Sequence, residues 1–177
     1  MTGHFAPSRA YLRKSSPRLR VVTAALALLG LCVMAGPAGA QYRQKITNDP
    51  ARCRGSGPAV SVTLTGIKSG AGTIRVQLYR ATKQDWLETG RWLYRIEAPA
   101  RAGSMTFCLP APQPGSYAVA ARHDVNDNDD TDLTQDGGGM SNNPSINIFN
   151  LGKPSYTKTA FALGDEVKAI TIRMRYM

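Results

Sequence analysis

Apolar residues occupy every second position in several short stretches of the chain. Val60, Val62 and Leu64 form one such set, and Ile74 to Leu78 repeats the pattern after a turn rich in Ser and Gly at 68–72. A period of two is the pattern of a half-buried strand. Further strands are predicted over 93–98, 105–109, 117–122, 157–163 and 167–176. Turn residues separate these stretches, so we predict an all-β fold, a seven-stranded antiparallel β-sandwich over 59–177.

The first forty residues differ in composition from the rest. They contain five basic residues and no acidic one, and an uncharged run covers 21–35. That run is short for a hydrocarbon core of about 30 Å, and the small residues Ala38, Gly39 and Ala40 follow it. This arrangement is typical of a cleavable signal peptide. We therefore predict cleavage after Ala40 and a periplasmic or secreted protein, with an uncleaved membrane anchor as the alternative.

The remaining chain carries a modest positive charge. Without residues 1–40, 137 residues remain, with 17 Lys and Arg against 12 Asp and Glu, a net charge of +5. The basic residues are spaced along candidate strands and form no nucleic-acid motif, so we interpret them as solvated faces and expect no nucleic-acid partner. Residues 41–58 are polar and are predicted to be an N-terminal arm. We expect no stable membrane insertion after cleavage and an unknown cell-envelope or extracellular ligand as the partner.

Two cysteines, Cys53 and Cys108, lie after the predicted cleavage point. An exported protein meets oxidising conditions, and the two residues lack the spacing of a CxxC redox or zinc motif. We therefore predict a disulfide that joins the N-terminal arm to the sandwich. Two separate buried thiols are the alternative.

Acidic and amide side chains are concentrated between His123 and Asp136, which holds six of the twelve acidic residues. Oxygen-bearing side chains alternate there, a spacing that can direct several hard ligands toward one Ca²⁺ ion. The segment is not an EF-hand loop, because Asp129 stands where the turn requires Gly and Gln135 where the bidentate Glu belongs. A solvated turn with Asx hydrogen bonds is the alternative. The predicted calcium ligands are Asp124, Asn126, Asn128, Asp130 and Asp132.

The segment 109–119 combines three prolines with Gly115 and Tyr117. The prolines end one strand, Gly115 permits a positive φ, and the tyrosine can bury its ring while its hydroxyl bonds to nearby backbone. This Pro-Gly-x-Tyr-x-Val pattern resembles the one in transthyretin-like and carboxypeptidase-regulatory-like sandwiches. The resemblance implies an Ig-like or prealbumin-like scaffold and no particular activity.

A second resemblance rests on spaced motifs that occur in a fixed order. They are His-Asp-x-Asn-x-Asn from His123, the later Asp132, Gly-x-Ser-Asn-Asn from Gly139 and Gly-x-Pro-x-Tyr from Gly152. With these motifs the chain resembles, over about 60–177, a family of exported bacterial proteins, the domain of unknown function 2141. Asp129 departs from the usual Gly, and 137–140 replaces a shorter segment of the family. The resemblance implies a β-sandwich and an extracytoplasmic location, and it supplies no catalytic residues.

Few side chains are left for catalysis, so we predict a non-catalytic binding or structural module. His123 is the only histidine after residue 40, and we interpret it as a strand-end residue bonded to the acidic loop rather than as a base. No serine lies in a Gly-x-Ser-x-Gly motif. The glycine-rich segment 137–143 either closes over a ligand or is only a long loop. The candidate ligand-binding residues around it are His123, Ser141, Asn142 and Asn143.

An enzyme is the alternative interpretation. A hydrolase of cell-envelope carbohydrate could use carboxylates drawn from Glu88, Glu97, Asp124 or Glu166. Trp86 and Trp92 either offer a sugar-stacking surface or fill the open end of the sandwich.

Overall fold

The computed structural model describes residues 1–3, 42–132, 134–145 and 152–177. The chain divides into two units, Met1–Ala38 and Gly39–Met177, and every element given below belongs to the second. Apart from residues 1–3, the predicted signal peptide lies outside the described residues. None of the helices in the described ranges is both long enough and apolar enough to cross a membrane.

Ten strands and two very short helices make up the described part of the second unit. A 3-10 helix covers Pro50–Arg54, and the α-helix α1 covers Tyr156–Thr159. In chain order the strands are β1 (Gln44–Lys45), β2 (Ala59–Ile67), β3 (Thr73–Arg80), β4 (Tyr94–Pro99), β5 (Gly103–Pro110), β6 (Gly115–Asp124), β7 (Gly137–Met140), β8 (Phe161–Leu163), β9 (Val167–Arg173) and β10 (Arg175–Tyr176).

The strands form two sheets. The larger has the order β1-β4-β3-β6-β7-β10, with β8 also paired to β6, and the smaller has the order β5-β2-β9. The all-β prediction is confirmed, but the strand count differs from seven and the pairing is not wholly antiparallel, since β1–β4 and β2–β9 run parallel. Both ladder types have a side-chain period of two. Alternation therefore identifies the buried face of a strand without identifying its neighbour's direction.

The strand predicted over 157–163 is wrong in its first part. Tyr156–Thr159 forms a single α-helical turn, and the strand covers only Phe161–Leu163. The Ser155 hydroxyl accepts a hydrogen bond from the Thr157 backbone N–H at 3.4 Å and caps this turn. A local side-chain hydrogen bond thus outweighs the β propensity of the two threonines.

The core follows the predicted alternation. Val60, Val62 and Leu64 from β2 are fully buried, and they face Ile74 to Leu78 of β3 within one apolar cluster. Both sheets contribute to this cluster, so they pack face to face as the two layers of a sandwich. Its other large and fully buried members are Leu93, Ile96, Phe107, Leu109, Val119 and Ile172.

The N-terminal arm joins the edges of both sheets. β1 pairs with β4 at the edge of the larger sheet. The Asn48 side chain donates to the Thr106 carbonyl at 2.9 Å and accepts from the Cys108 N–H at 3.0 Å, on the edge strand β5 of the smaller sheet. The predicted disulfide between Cys53 and Cys108 is present. The arm is therefore ordered by its contacts, although its polar sequence predicted no strand.

The tyrosine of the Pro-Gly-x-Tyr turn lies as predicted, but Gly115 does not have a positive φ. Tyr117 is 1% exposed, and its hydroxyl donates to the Gln113 carbonyl at 2.7 Å. This bond fixes the entry of the chain into β6, the strand that leads to the acidic segment.

Three consecutive glycines and Met140 form the strand β7 rather than a loop. A Cβ on Gly137 would lie 2.6 Å from Cζ of the Tyr176 ring, and one on Gly139 would lie 2.6 Å from Cγ2 of Ile172. The Tyr176 contact arises because the C-terminal segment leaves the smaller sheet after β9 and pairs with β7 through β10, whereas Ile172 contacts Gly139 from β9 itself. Gly138 differs from its neighbours, since a Cβ there would meet nothing within 4 Å.

Candidate functional site

The acidic loop, residues 124–136, joins β6 to β7; residue 133 is not among the described positions. The turn between β2 and β3 packs against its start. A Cβ on Gly72 would overlap the Asp124 carbonyl oxygen and lie 2.8 Å from Cα of Val125. The loop is therefore held at both ends by the larger sheet and at its base by this turn.

Three of the predicted ligands meet inside the loop. The side-chain amides of Asn126 and Asn128 both donate to Oδ2 of Asp132, each at 2.9 Å. The Asn128 N–H donates to Oδ1 of Asn126 at 3.3 Å, and the Asp130 N–H donates to Oδ1 of Asn128 at 2.9 Å. These bonds are consecutive Asx turns. They turn the alternating side chains of positions 126 and 128 toward the same carboxylate.

Asp124 lies beneath the loop and is 4% exposed. Its Oδ2 accepts hydrogen bonds from Arg122 Nη2 and from the Asp129 N–H, the latter at 3.0 Å. Its Oδ1 is buried and has no hydrogen-bond partner among the described residues. A buried carboxylate oxygen without a partner is costly. Asp124 therefore has an unused acceptor at the base of the loop.

The fifth predicted ligand, Asp130, is not brought into this group. Within the described residues, its contact with the others is made by its backbone N–H, and the residue is exposed. No three His, Cys, Asp or Glu side chains of the described residues are grouped as a metal site. A cation bound here would thus depend on the amide oxygens as well as on the carboxylates.

Asp136 closes the base of the loop and was not among the predicted ligands. It is 6% exposed, its Oδ1 accepts from the Val125 N–H at 3.1 Å, and its Oδ2 accepts from the Asp132 N–H at 3.0 Å. Asp136 lies in phase with the alternating positions, with Thr134 between it and Asp132, so extending the pattern by four residues would have included it.

Two arginines of the larger sheet hold the loop from outside. Arg75 Nη2 donates to Oδ1 of Asp129 at 2.6 Å, and Arg122 Nη1 donates to the Asp129 carbonyl at 2.9 Å. The hydrogen bond from Arg75 and the attraction of its charge lower the pKa of the Asp129 carboxyl. Asp129 has a φ of 64°, in the left-handed region that Asp tolerates better than most residues. It therefore adopts the backbone conformation expected of a Gly at this position.

His123 lies in the core and contacts other elements than the acidic loop. It is fully buried, with Nε2 2.7 Å from the Ala71 carbonyl and Nδ1 2.6 Å from the Tyr176 hydroxyl. A carbonyl can only accept, so Nε2 carries the proton and Nδ1 accepts from Tyr176. The Tyr176 hydroxyl accepts in turn from the Lys68 N–H at 3.0 Å. The partners of His123 are thus the β2–β3 turn and β10, instead of the loop that follows it in sequence.

The remaining candidate ligand residues bond to backbone groups. The Ser141 hydroxyl donates to the Thr159 carbonyl at 2.6 Å and accepts from the Val119 N–H at 3.0 Å. The Asn142 amide donates to the Ala160 carbonyl at 2.8 Å. The Asn143 side chain accepts from the Arg173 N–H at 2.7 Å and donates to the Thr171 carbonyl at 2.9 Å. A ligand would have to break these bonds, so we leave Ser141, Asn142 and Asn143 out of the site.

The two tryptophans belong to a second apolar cluster, on the outer face of the larger sheet. Trp86 is 8% exposed and its indole N–H donates to the Pro154 carbonyl at 2.8 Å. Trp92 is 6% exposed, and the Arg95 guanidinium lies 4.3 Å from its ring centre. Both indoles are therefore largely covered by protein, although Trp92 also borders a cleft on this face of the sheet.

A family model described as uncharacterized protein conserved in bacteria (DUF2141) matches residues 62–171. The matched region runs from β2 into β9 and includes the whole acidic loop. No curated protein and no solved structure matches the chain.

Proposed function

The chain belongs to the DUF2141 family of bacterial proteins, and from the geometry of its acidic loop we propose that it is an exported, non-catalytic binding module of the cell envelope. The loop binds Ca²⁺ through oxygens of Asp124, Asn126, Asn128 and Asp132. The bound ion fixes the loop as part of a surface that meets a cell-envelope or extracellular ligand.

The observation that carries this proposal is the grouping of the Asn126 and Asn128 side chains around the Asp132 carboxylate. Each amide oxygen accepts one backbone N–H and keeps a second lone pair, and Oδ1 of Asp124 has no partner among the described residues. Carboxylate and amide oxygens are the ligands that Ca²⁺ prefers. The loop also holds six carboxylates and is contacted by two guanidinium groups, those of Arg75 and Arg122. The uncompensated negative charge favours a divalent cation.

Calcium titration of the purified protein tests this function. We expect saturable heat in calorimetry and a rise in the melting temperature, because an ion that binds only the folded state adds about 2.7 kcal/mol of stability at one hundred times its dissociation constant. Asp132→Asn should weaken calcium binding at least tenfold, since it removes the charge on which both amides converge. Asn128→Ala should weaken it in the same direction.

Asp127→Asn is the matched control, because Asp127 is an exposed acidic residue of the same loop and Asn also tolerates its φ of 54°. Asp127→Asn should bind calcium nearly as tightly as the wild type. An equal loss in Asp127→Asn and Asp132→Asn would mean that only the net charge of the loop matters. Absence of heat and of thermal stabilisation at millimolar calcium would refute the site.

Export is supported by the basic segment and short apolar run before Ala40, and by the Cys53–Cys108 disulfide, which is stable outside the reducing cytosol. Expression of the full chain in a bacterial host should yield a periplasmic or secreted product whose N-terminal residue is Gln41. A cytoplasmic product that begins at Met1 would contradict export.

The non-catalytic assignment is supported by the state of the candidate catalytic groups. Both ring nitrogens of His123 have partners. Glu97 bonds Arg75 and Lys45. Burial raises the pKa of its carboxyl, but the hydrogen bonds and the positive charges of Lys45 and Arg75 together lower it by more, so the pKa is below its usual value. A carboxyl with a lowered pKa is a poor general acid. Hydrolysis of a cell-envelope polysaccharide that is lost in Asp124→Ala would overturn this assignment.

A further inference from the structure

A cleft of about 590 Å³ lies on the outer face of the larger sheet. Its floor is formed by outward-facing residues of β3, β4, β6 and β7, and its walls by the 87–92 turn, the end of the acidic loop and β10. Four arginines line it, so we call it the arginine cleft: Arg75, Arg95, Arg122 and Arg175. Its volume lies within the usual range for small-molecule sites.

The strand register places three of these arginines in one row across the sheet. Arg75 is paired with Arg122, Arg122 with Gly138, and Gly138 with Arg175. Strands are about 4.8 Å apart, so Arg122 and Arg175 flank an opening roughly two strand spacings, or about 10 Å, wide. Gly138 forms the floor of that opening, and its Cβ position is empty.

Only part of this positive charge is neutralised by the protein. Arg75 bonds Glu97 and Asp129, and Arg122 bonds Asp124. Nη1 of Arg95 is 3.4 Å from Oε1 of Glu97. The same carboxylate is contacted more closely by Nε of Arg75, at 2.7 Å, and by Nζ of Lys45, at 3.0 Å. No ion pair links Arg175 to an acidic residue within the described part of the chain, and Nε of Arg122 is buried with no hydrogen-bond partner there.

Arg95 in particular remains poorly compensated. Burial lowers its pKa, and the neighbouring charge of Arg75 lowers it further. Its guanidinium lies on the Trp92 ring, and it donates through Nη2 to the Gln77 amide oxygen at 2.9 Å when that amide is oriented to accept. Trp92 and Gln77 thus hold the guanidinium in the cleft without neutralising it.

The next row of the sheet supplies an apolar surface beside the charged row. Gln77 is paired with Arg95 and Ala120, and Ala120 with Met140. Trp92 and Leu87 border the same space. Along β6 and β7, the floor of the cleft therefore changes from Arg122 and Gly138 to Ala120 and Met140 over two residues.

We infer that the arginine cleft binds a small organic anion, with its carboxylate or phosphate group between Arg122 and Arg175 and its apolar part against Ala120, Met140 and Trp92. Arginine recognises both anionic groups by paired, charge-assisted hydrogen bonds. This site adjoins the proposed calcium site, since Asp132 lines the cleft and Arg122 bonds Asp124, but the inference does not rest on calcium binding.

The acidic residues on the cleft wall do not occupy the proposed anion position. Both oxygens of Asp136 accept backbone N–H groups, and Asp132 receives the two loop amides. Glu88 belongs to the 87–92 turn on the opposite wall. The anion position lies between these walls, over Gly138.

Binding of octanoate and octyl phosphate to the purified protein tests the inference, with 1-octanol as the uncharged probe of equal length. We expect at least one of the anions to bind and octanol to bind at least tenfold more weakly. Arg175→Gln should weaken anion binding at least tenfold, because it removes a charged donor beside Gly138. Arg95→Met, which keeps much of the side-chain volume, should weaken it less, because Arg95 lies on β4, three strands away from Gly138. Preference for octanoate or for octyl phosphate identifies the anionic group.

Two further variants separate binding in the cleft from charge in general. Gly138→Val should abolish anion binding while the protein stays folded, because a side chain there extends into the opening and its Cβ meets no heavy atom within 4 Å. Arg101→Gln removes the same charge from an exposed position outside the cleft and should bind like the wild type. Equal binding by all variants, equal binding of octanol, or no binding of either anion at millimolar concentration would overturn the inference.

Discussion

Replacing Gly72 by Ala should destabilise the protein by at least about 3 kcal/mol, because two costs add at one position. Gly72 has a φ of 71°, which an L-residue adopts only with strain. A Cβ there would also overlap the Asp124 carbonyl oxygen and lie 2.8 Å from Val125 Cα. Both neighbours are backbone atoms, which cannot rotate away, so the turn and the start of the acidic loop must separate.

Gly70→Ala is the control for the Gly72 variant, since the same turn carries both residues. Its Cβ would lie 3.6 Å from the Ala100 carbonyl oxygen, an ordinary contact. Urea denaturation should place Gly70→Ala within about 0.5 kcal/mol of the wild type, as for a typical surface change. Calcium affinity should fall in Gly72→Ala and stay unchanged in Gly70→Ala. Equal stabilities for the two variants would show that the turn does not support the loop.

The sequence predicted the core of the sandwich because burial and alternation are local properties of a strand. Val60, Val62 and Leu64 were assigned to one buried face, and all three are fully buried. The Tyr117 turn was predicted for a similar reason, since its hydrogen bond spans four residues. Strand partners are set by contacts between distant segments, so neither the parallel β2–β9 pair nor the crossing of the C-terminal segment between sheets could be predicted.

Glycine was the residue whose role the sequence least revealed. The 137–139 triplet was interpreted as flexible because glycine has wide conformational freedom. In the folded protein, Gly137 packs against Tyr176 and Gly139 packs against Ile172, and neither position has room for a Cβ atom. Those two residues are more than thirty positions away in the chain, so no local pattern could indicate the contact.

The acidic loop was the predicted functional segment, and its alternating side chains do come together at positions 126, 128 and 132. What the sequence missed were the groups that hold them. The predicted ligands stopped at Asp132 and left out Asp136, and the arginines were interpreted as solvated because they are spaced along candidate strands and form no nucleic-acid motif. Only the register of β3, β6, β7 and β10 brings Arg75, Arg122 and Arg175 into one row.

The Cys53–Cys108 disulfide should contribute about 4 kcal/mol to the free energy of unfolding, because it closes a loop of 55 residues in the unfolded chain. It also fixes the arm to the edge strand β5, where the noncovalent contacts include the two hydrogen bonds of Asn48. In the Cys53→Ser/Cys108→Ser variant we expect a lower urea midpoint and faster proteolysis within 48–58. The β-sheet signal of the fold should persist at low urea, since Cys108 is one small residue at the border of the core.

The wild type treated with a reductant should match that double variant, whereas the reductant should leave the variant unchanged. This comparison separates the loss of the covalent bond from any effect of the serine side chains. Asn48→Ala in the oxidised protein should cost only about 1 kcal/mol, the usual value for hydrogen bonds at an exposed edge. If reduction left the midpoint of the wild type unchanged, the noncovalent contacts alone would hold the arm, and the disulfide would no longer support the proposal that the protein is exported.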